Sequence, residues 1–139
     1  MANAGFASYR TLVWTAPPNI NTATIKGMFV DHADDTPVVA TDNFIDDIAS
    51  AARVPAIASC PTLGTKTFGT VAAGVFDAAD TVFSSLTGDQ SESLILFRDT
   101  GTEATSDLLL YWDTASGLPI TPNGANVTVV WSSSGIATF

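Results

Sequence analysis

Cationic side chains are scarce in this chain: five Lys and Arg stand against 14 Asp and Glu in 139 residues, for a net charge of −9 with one histidine. The five cations, Arg10, Lys26, Arg53, Lys66 and Arg98, are spread along the sequence and form no cluster. Phosphate recognition depends on clustered Lys and Arg that release counterions, so direct nucleic-acid binding is not expected. Cysteine occurs once, at Cys60, which precludes an intrachain disulfide. The thiol reads as a small inert side chain rather than a nucleophile, and one Cys with one His cannot supply a closed zinc site. No run of about 18 apolar residues is present, which excludes a transmembrane helix. The opening Met-Ala-Asn-Ala-Gly-Phe has neither the positive n-region nor the apolar h-region of a signal peptide. Synthesis in a cytoplasm, without membrane insertion, is the expectation.

Apolar residues, by contrast, make up 46% of the chain while only 14% are charged. A globular protein usually carries about 25% charged residues, so part of this surface is expected to be covered by a partner. The length suits one domain, which buries roughly 68% of its unfolded-chain surface without help from disulfides or metals.

The local patterns describe an N-terminal arm or short helix over residues 1–21 and a single β-rich domain over 22–139. Phe6, Tyr9 and Val13 fall at helical spacing with Leu12 beside them, and Pro17-Pro18 ends the segment. Thr22 to Asp31 reads as a strand, with Ala23, Ile25, Gly27 and Phe29 on one face and Thr24, Lys26 and Met28 on the other. Thr41-Asp42 looks like a helix start, predicting two or three turns through about Ala52 that carry Phe44, Ile45 and Ile48. Strand-type residues flank Asp77-Ala78-Ala79-Asp80, which predicts a bulge or turn there. Leu94-Ile95-Leu96-Phe97 and Leu108-Leu109-Leu110-Tyr111-Trp112 are apolar on both faces and predict a central antiparallel pair. Val127, Val129 and Trp131 alternate with Thr128 and Val130, and Ile136 to Phe139 can add a last strand. Short strands separated by Gly, Pro and Asn favour an antiparallel β-sandwich or partly open β-barrel with one or two short helices.

Groups that could carry chemistry are few. His32 has no Gly-x-Ser-x-Gly elbow to serve, and a surface-loop histidine is the expectation. Asp31, Asp34 and Asp35 form one acidic loop and Asp77 with Asp80 a second pair. Such clusters can hold Ca²⁺ but match no EF-hand spacing, so turn and cap chemistry is favoured. Paired acids also serve glycoside hydrolysis, and no two of these can be set across a cleft from sequence. Gly64-Thr65-Lys66-Thr67 superficially looks like the end of a P-loop, with Ser59 where the upstream glycine belongs. Trp14, Trp112 and Trp131, with Tyr9 and Tyr111, suit a core or subunit interface better than a ligand platform. No catalytic residue, metal ligand or cofactor is therefore assigned, and the chain is not expected to be an enzyme.

The order of segments carries a resemblance. Thr24-Ile25-Lys26-Gly27-Met28-Phe29-Val30 is followed by Asp42-Asn43-Phe44-Ile45-Asp46-Asp47-Ile48 and by Gly74-Val75-Phe76-Asp77-Ala78-Ala79-Asp80. Leu94-Ile95-Leu96-Phe97-Arg98-Asp99-Thr100-Gly101, Leu108 to Asp113, and Val127-Thr128-Val129-Val130-Trp131 complete the series. This order resembles small structural proteins of tailed phages, those with a known role tending to be capsid decoration or cement proteins. The resemblance implies attachment to the major capsid protein on the outer surface of the virion, stabilisation of the head, and no catalytic residue. An acidic surface suits the outside of a nucleic-acid container better than its lining. Self-association into a trimer or dimer would bury spare apolar surface, and Phe6, Tyr9, Leu12 and Trp14 are the expected interface residues. Two rival expectations are a tail or head-fibre component that binds host glycans through the aromatics and a virion-associated glycan hydrolase.

Overall fold

The computed structural model describes residues 4–15 and 19–139, apart from the side chains of Val13 and Trp14. Strand β1 (Ala4–Gly5) leads into helix α1 (Ala7–Thr15), the α-helix expected from the Phe6/Tyr9 spacing. Strands β2 (Ile25–Val30), β3 (Arg53–Val54), β4 (Thr67–Phe68), β5 (Val75–Asp77), β6 (Thr81–Phe83), β7 (Ser93–Arg98), β8 (Leu108–Trp112), β9 (Val127–Val129) and β10 (Ala137–Thr138) follow. They form three open antiparallel sheets, ordered β1-β8-β7-β2-β3, β10-β5-β4 and β6-β9. The protein is thus a mostly β domain with one α-helix among the described residues.

The apolar runs explain the centre of the larger sheet. Strand β7 pairs with β2 over its whole length, from Ile25↔Arg98 to Val30↔Ser93, and with β8 on its other side. Met28 and Ile95, paired across β2 and β7, face the main core with Phe6 and Tyr9. The next pair, Phe29 and Leu94, faces the other way, onto a smaller cluster with Val54, Phe83 and Leu86. A strand covered on both faces has no position for a polar alternation, which is why Leu94 to Phe97 read as a continuous apolar run.

The N-terminal segment is part of this architecture, because Ala4 and Gly5 pair with Tyr111 and Leu110 at the sheet edge. Phe6 is fully buried, edge-on to Tyr111 at 6.2 Å between ring centres. Tyr9 meets Phe139 in the same way at 5.6 Å. Phe6 and Tyr9, expected at an interface, are packed within the chain here, with Leu12 half-buried against the same core. The Trp14 side chain lies outside the described residues.

The helix expected through Ala52 does not form; two 3-10 turns, Ile45–Asp47 and Ser50–Ala52, take its place. The acidic side chains in and beside this stretch hold backbone N–H groups. Asp47 accepts from Asn43 and Phe44 (2.7 and 3.0 Å), and Asp42 accepts from Val38 (2.6 Å). Asp35, from the preceding loop, accepts from Ala49 at 2.7 Å. Such local bonds compete with helical ones. The buried pair Ile45 and Ile48 is three residues apart, a spacing that a 3-10 turn stacks on one side. Asp77 to Asp80 breaks the strand pattern as expected, and its effect is larger than a bulge, because β5 and β6 on either side belong to different sheets.

Candidate functional site

The groups singled out for chemistry are engaged in holding the fold. His32 Nε2 lies 2.9 Å from Ser93 Oγ, and its backbone N–H donates to Glu92 at 2.9 Å. A serine–histidine contact is two parts of a hydrolase triad, but Ser93 is fully buried inside β7, where no scissile bond can reach it. Its hydroxyl also bonds Tyr111, whose ionisation is pushed up by burial and by the neighbouring Asp113. Cys60 is buried against the carbonyls of Pro55 and Ala56, at 3.6 and 3.7 Å, and burial pushes its thiol up to about 12. An aromatic disulfide reagent is accordingly expected to leave the folded protein unlabelled and to titrate its one thiol after denaturation. Rapid labelling of the native state would contradict that burial.

Acidic residues regroup relative to the sequence. Asp31 and Asp34 are joined not by Asp35 but by Asp89, the three carboxylates lying within 4.8 Å of one another. Asp31 Oδ1 accepts the Ala33 N–H at 2.7 Å, a turn-closing role. Asp80 of the second pair accepts the Trp131 N–H at 3.0 Å and so ties β9's extension to β6. Lys66 turns back on its own loop, 3.4 Å from the Leu63 carbonyl, away from any phosphate cradle. Arg98 is paired with Asp107. Lys26 meets Asp99 at 2.6 Å, and this bond, with the Gly101 N–H, holds the Asp99 carboxyl below its usual range.

A concave surface of another kind lies beside β9. It encloses about 520 Å³ and is floored by Phe29, Leu94 and Trp112. One wall is the run Val127 to Ser132; the other comprises Ala115 to Leu118 with Ile120. Trp112 and Trp131 meet at 5.7 Å between ring centres, tilted by 48°. The Trp131 indole N–H is already donated to Thr81 at 3.1 Å, leaving only its apolar surface to the groove. None of the sixteen lining residues carries an ionisable side chain or a side-chain amide. Of the aromatics noted in the sequence, Trp112 and Trp131 reach this site, while Tyr9 and Tyr111 are core residues. Leu118, Ile120 and Phe29 were not legible as site residues, since they come from separate segments and share no local pattern.

No family model matches this chain, and no curated protein is significantly similar to it.

Proposed function

We propose that the chain is a non-enzymatic binding protein that decorates a phage capsid, contacting the major capsid protein on the outer surface of the virion. The observation that carries the binding role is the groove: an apolar cleft of about 520 Å³ without a titratable group. General acid–base and nucleophilic catalysis need groups with tuned proton affinities at the reacting centre, whereas protein recognition needs desolvated apolar and aromatic surface. The order of strand segments, which resembles phage decoration proteins, supports the capsid. The two-stranded β6–β9 ribbon laid over the Phe29–Leu94 face gives the arrangement a sandwich-like character. Copies bound to a repetitive lattice, as dimers or trimers, raise their residence time by multivalency even where each contact is modest.

The Trp112–Trp131 pair favours one second reading, a fibre component that binds host glycans. Sugars are recognised by stacking together with planar hydrogen-bonding side chains, and this groove sets no carboxylate, amide or guanidinium beside its rings. The deciding measurement is the copy number in purified particles. Hundreds of copies per head support decoration. About a dozen or fewer, or saturable binding on a glycan array, support the fibre. Absence from particles overturns both.

A further inference from the structure

The groove is bounded on one side by six consecutive residues, Val127 to Ser132. A strand that turned one face to a cavity would contribute every second residue. The unbroken run, β9 (Val127–Val129) and its continuation to Ser132, means that the cavity follows the edge of this stretch, where main-chain groups project. On its other side β9 is paired with β6. The Trp131 N–H points to that side, reaching Asp80 at 3.0 Å, and so does the Ala125 carbonyl, which accepts from Leu86 at 3.0 Å. Antiparallel alternation then turns the N–H and C=O of Thr128 and Val130 the opposite way, into the groove. Val130 is 72% exposed.

We propose that this edge is completed by an extended segment of a different polypeptide, which adds to β9 as a strand by main-chain hydrogen bonds at Thr128 and Val130. Its alternate apolar side chains lie over Trp112, Leu118 and Trp131. The proposal rests on the binding role given above and specifies how the partner is held. An edge of unpaired N–H and C=O groups is a template for a strand, and the wall of six residues matches one of common length, about 20 Å. The uncharged lining and the net charge of −9 select an uncharged or basic segment over an acidic one. A second copy is a poor donor. Its described ends are already strands in its own sheets, β1 against β8 and β10 against β5.

The test uses the full chain and a fluorescent probe, acetyl-Lys-Val-Thr-Val-Thr-Val-Lys-amide. Two further versions are methylated on the backbone nitrogens of all the valines or of all the threonines. In an added strand one set of amides faces β9 and the other faces away. Saturable binding is expected, with one methylated version losing affinity by about tenfold or more and the other little changed. Hydrogen exchange at Thr128 and Val130 is expected to slow in the complex. Val130→Pro, which deletes an outward N–H at a position an edge tolerates, is expected to weaken the probe while β6 keeps its exchange protection. Equal sensitivity to the two methylations, unaltered binding by Val130→Pro, or no saturable binding overturns strand addition. The copy number in particles does not involve the probe, so the decoration role stands or falls separately.

Discussion

Phe83→Ala is expected to lower stability by about 3–5 kcal/mol, read as a fall in the urea midpoint. Phe83 is 2% exposed and packs on Phe29 with ring centres 4.6 Å apart. Gly27 lies beneath it; a β-carbon there would come within 3.1 Å of the ring, so glycine at this point of β2 makes room for Phe83. The ring is the main anchor of a two-stranded ribbon, and such ribbons are at best marginally stable alone. The loss should therefore be uneven. Hydrogen exchange is expected to quicken in β6 and β9 before the five-stranded sheet, and the β9 edge that forms one wall of the groove should loosen with it. Uniform loss of protection across both sheets would show that the smaller cluster is not a separate unit of stability.

Arg53→Met is expected to cost about 2–4 kcal/mol by the same measurement, although the replacement is apolar and of similar length. The guanidinium is only 7% exposed and donates to Ile45 O at 3.0 Å and to Ile48 O at 2.6 and 2.9 Å. Methionine leaves both carbonyls without that donor. The bond to Glu103 at 2.9 Å matters less, because that carboxylate is 53% exposed, and Glu103→Gln is expected to cost under about 1 kcal/mol. Equal losses for the two substitutions would mean that the ion pair, rather than the carbonyls, is what Arg53 supplies.

Arg53 also shows why the stretch before it misled a reading by pattern. Thr41-Asp42 with Ile45 and Ile48 has the marks of a helix start, yet the Asp42 carboxylate accepts the upstream Val38 N–H, and Asp35 accepts the Ala49 N–H across 14 residues. The first 3-10 turn and the residue that ends it present the Ile45 and Ile48 carbonyls inward, and an arginine beyond the expected helix takes them. By contrast α1, the β7–β8 pair and the alternation from Val127 to Trp131 were legible, because each is set by periodicity within a few residues. The aromatics of α1 showed that one face is apolar but not whether the cover is the same chain or another. The groove was hidden for a different reason. Phe29, Leu94, Trp112, Leu118 and Val127 meet only after β2, β7, β8 and β9 are placed, and the His32–Ser93 contact spans 61 residues.

Among the described residues, the cations Lys26, Arg53 and Arg98 form ion pairs within the fold. Each neutralises a local carboxylate, so the field felt by an approaching molecule is set almost entirely by the remaining acids. Screening lengths of about 8 Å at physiological ionic strength and about 30 Å at 0.01 M then decide how closely copies can be crowded. In dilute buffer neighbours repel across a distance comparable to their own diameter; in physiological salt that repulsion shrinks to the contact zone, and dense coverage of a surface becomes electrostatically permissible.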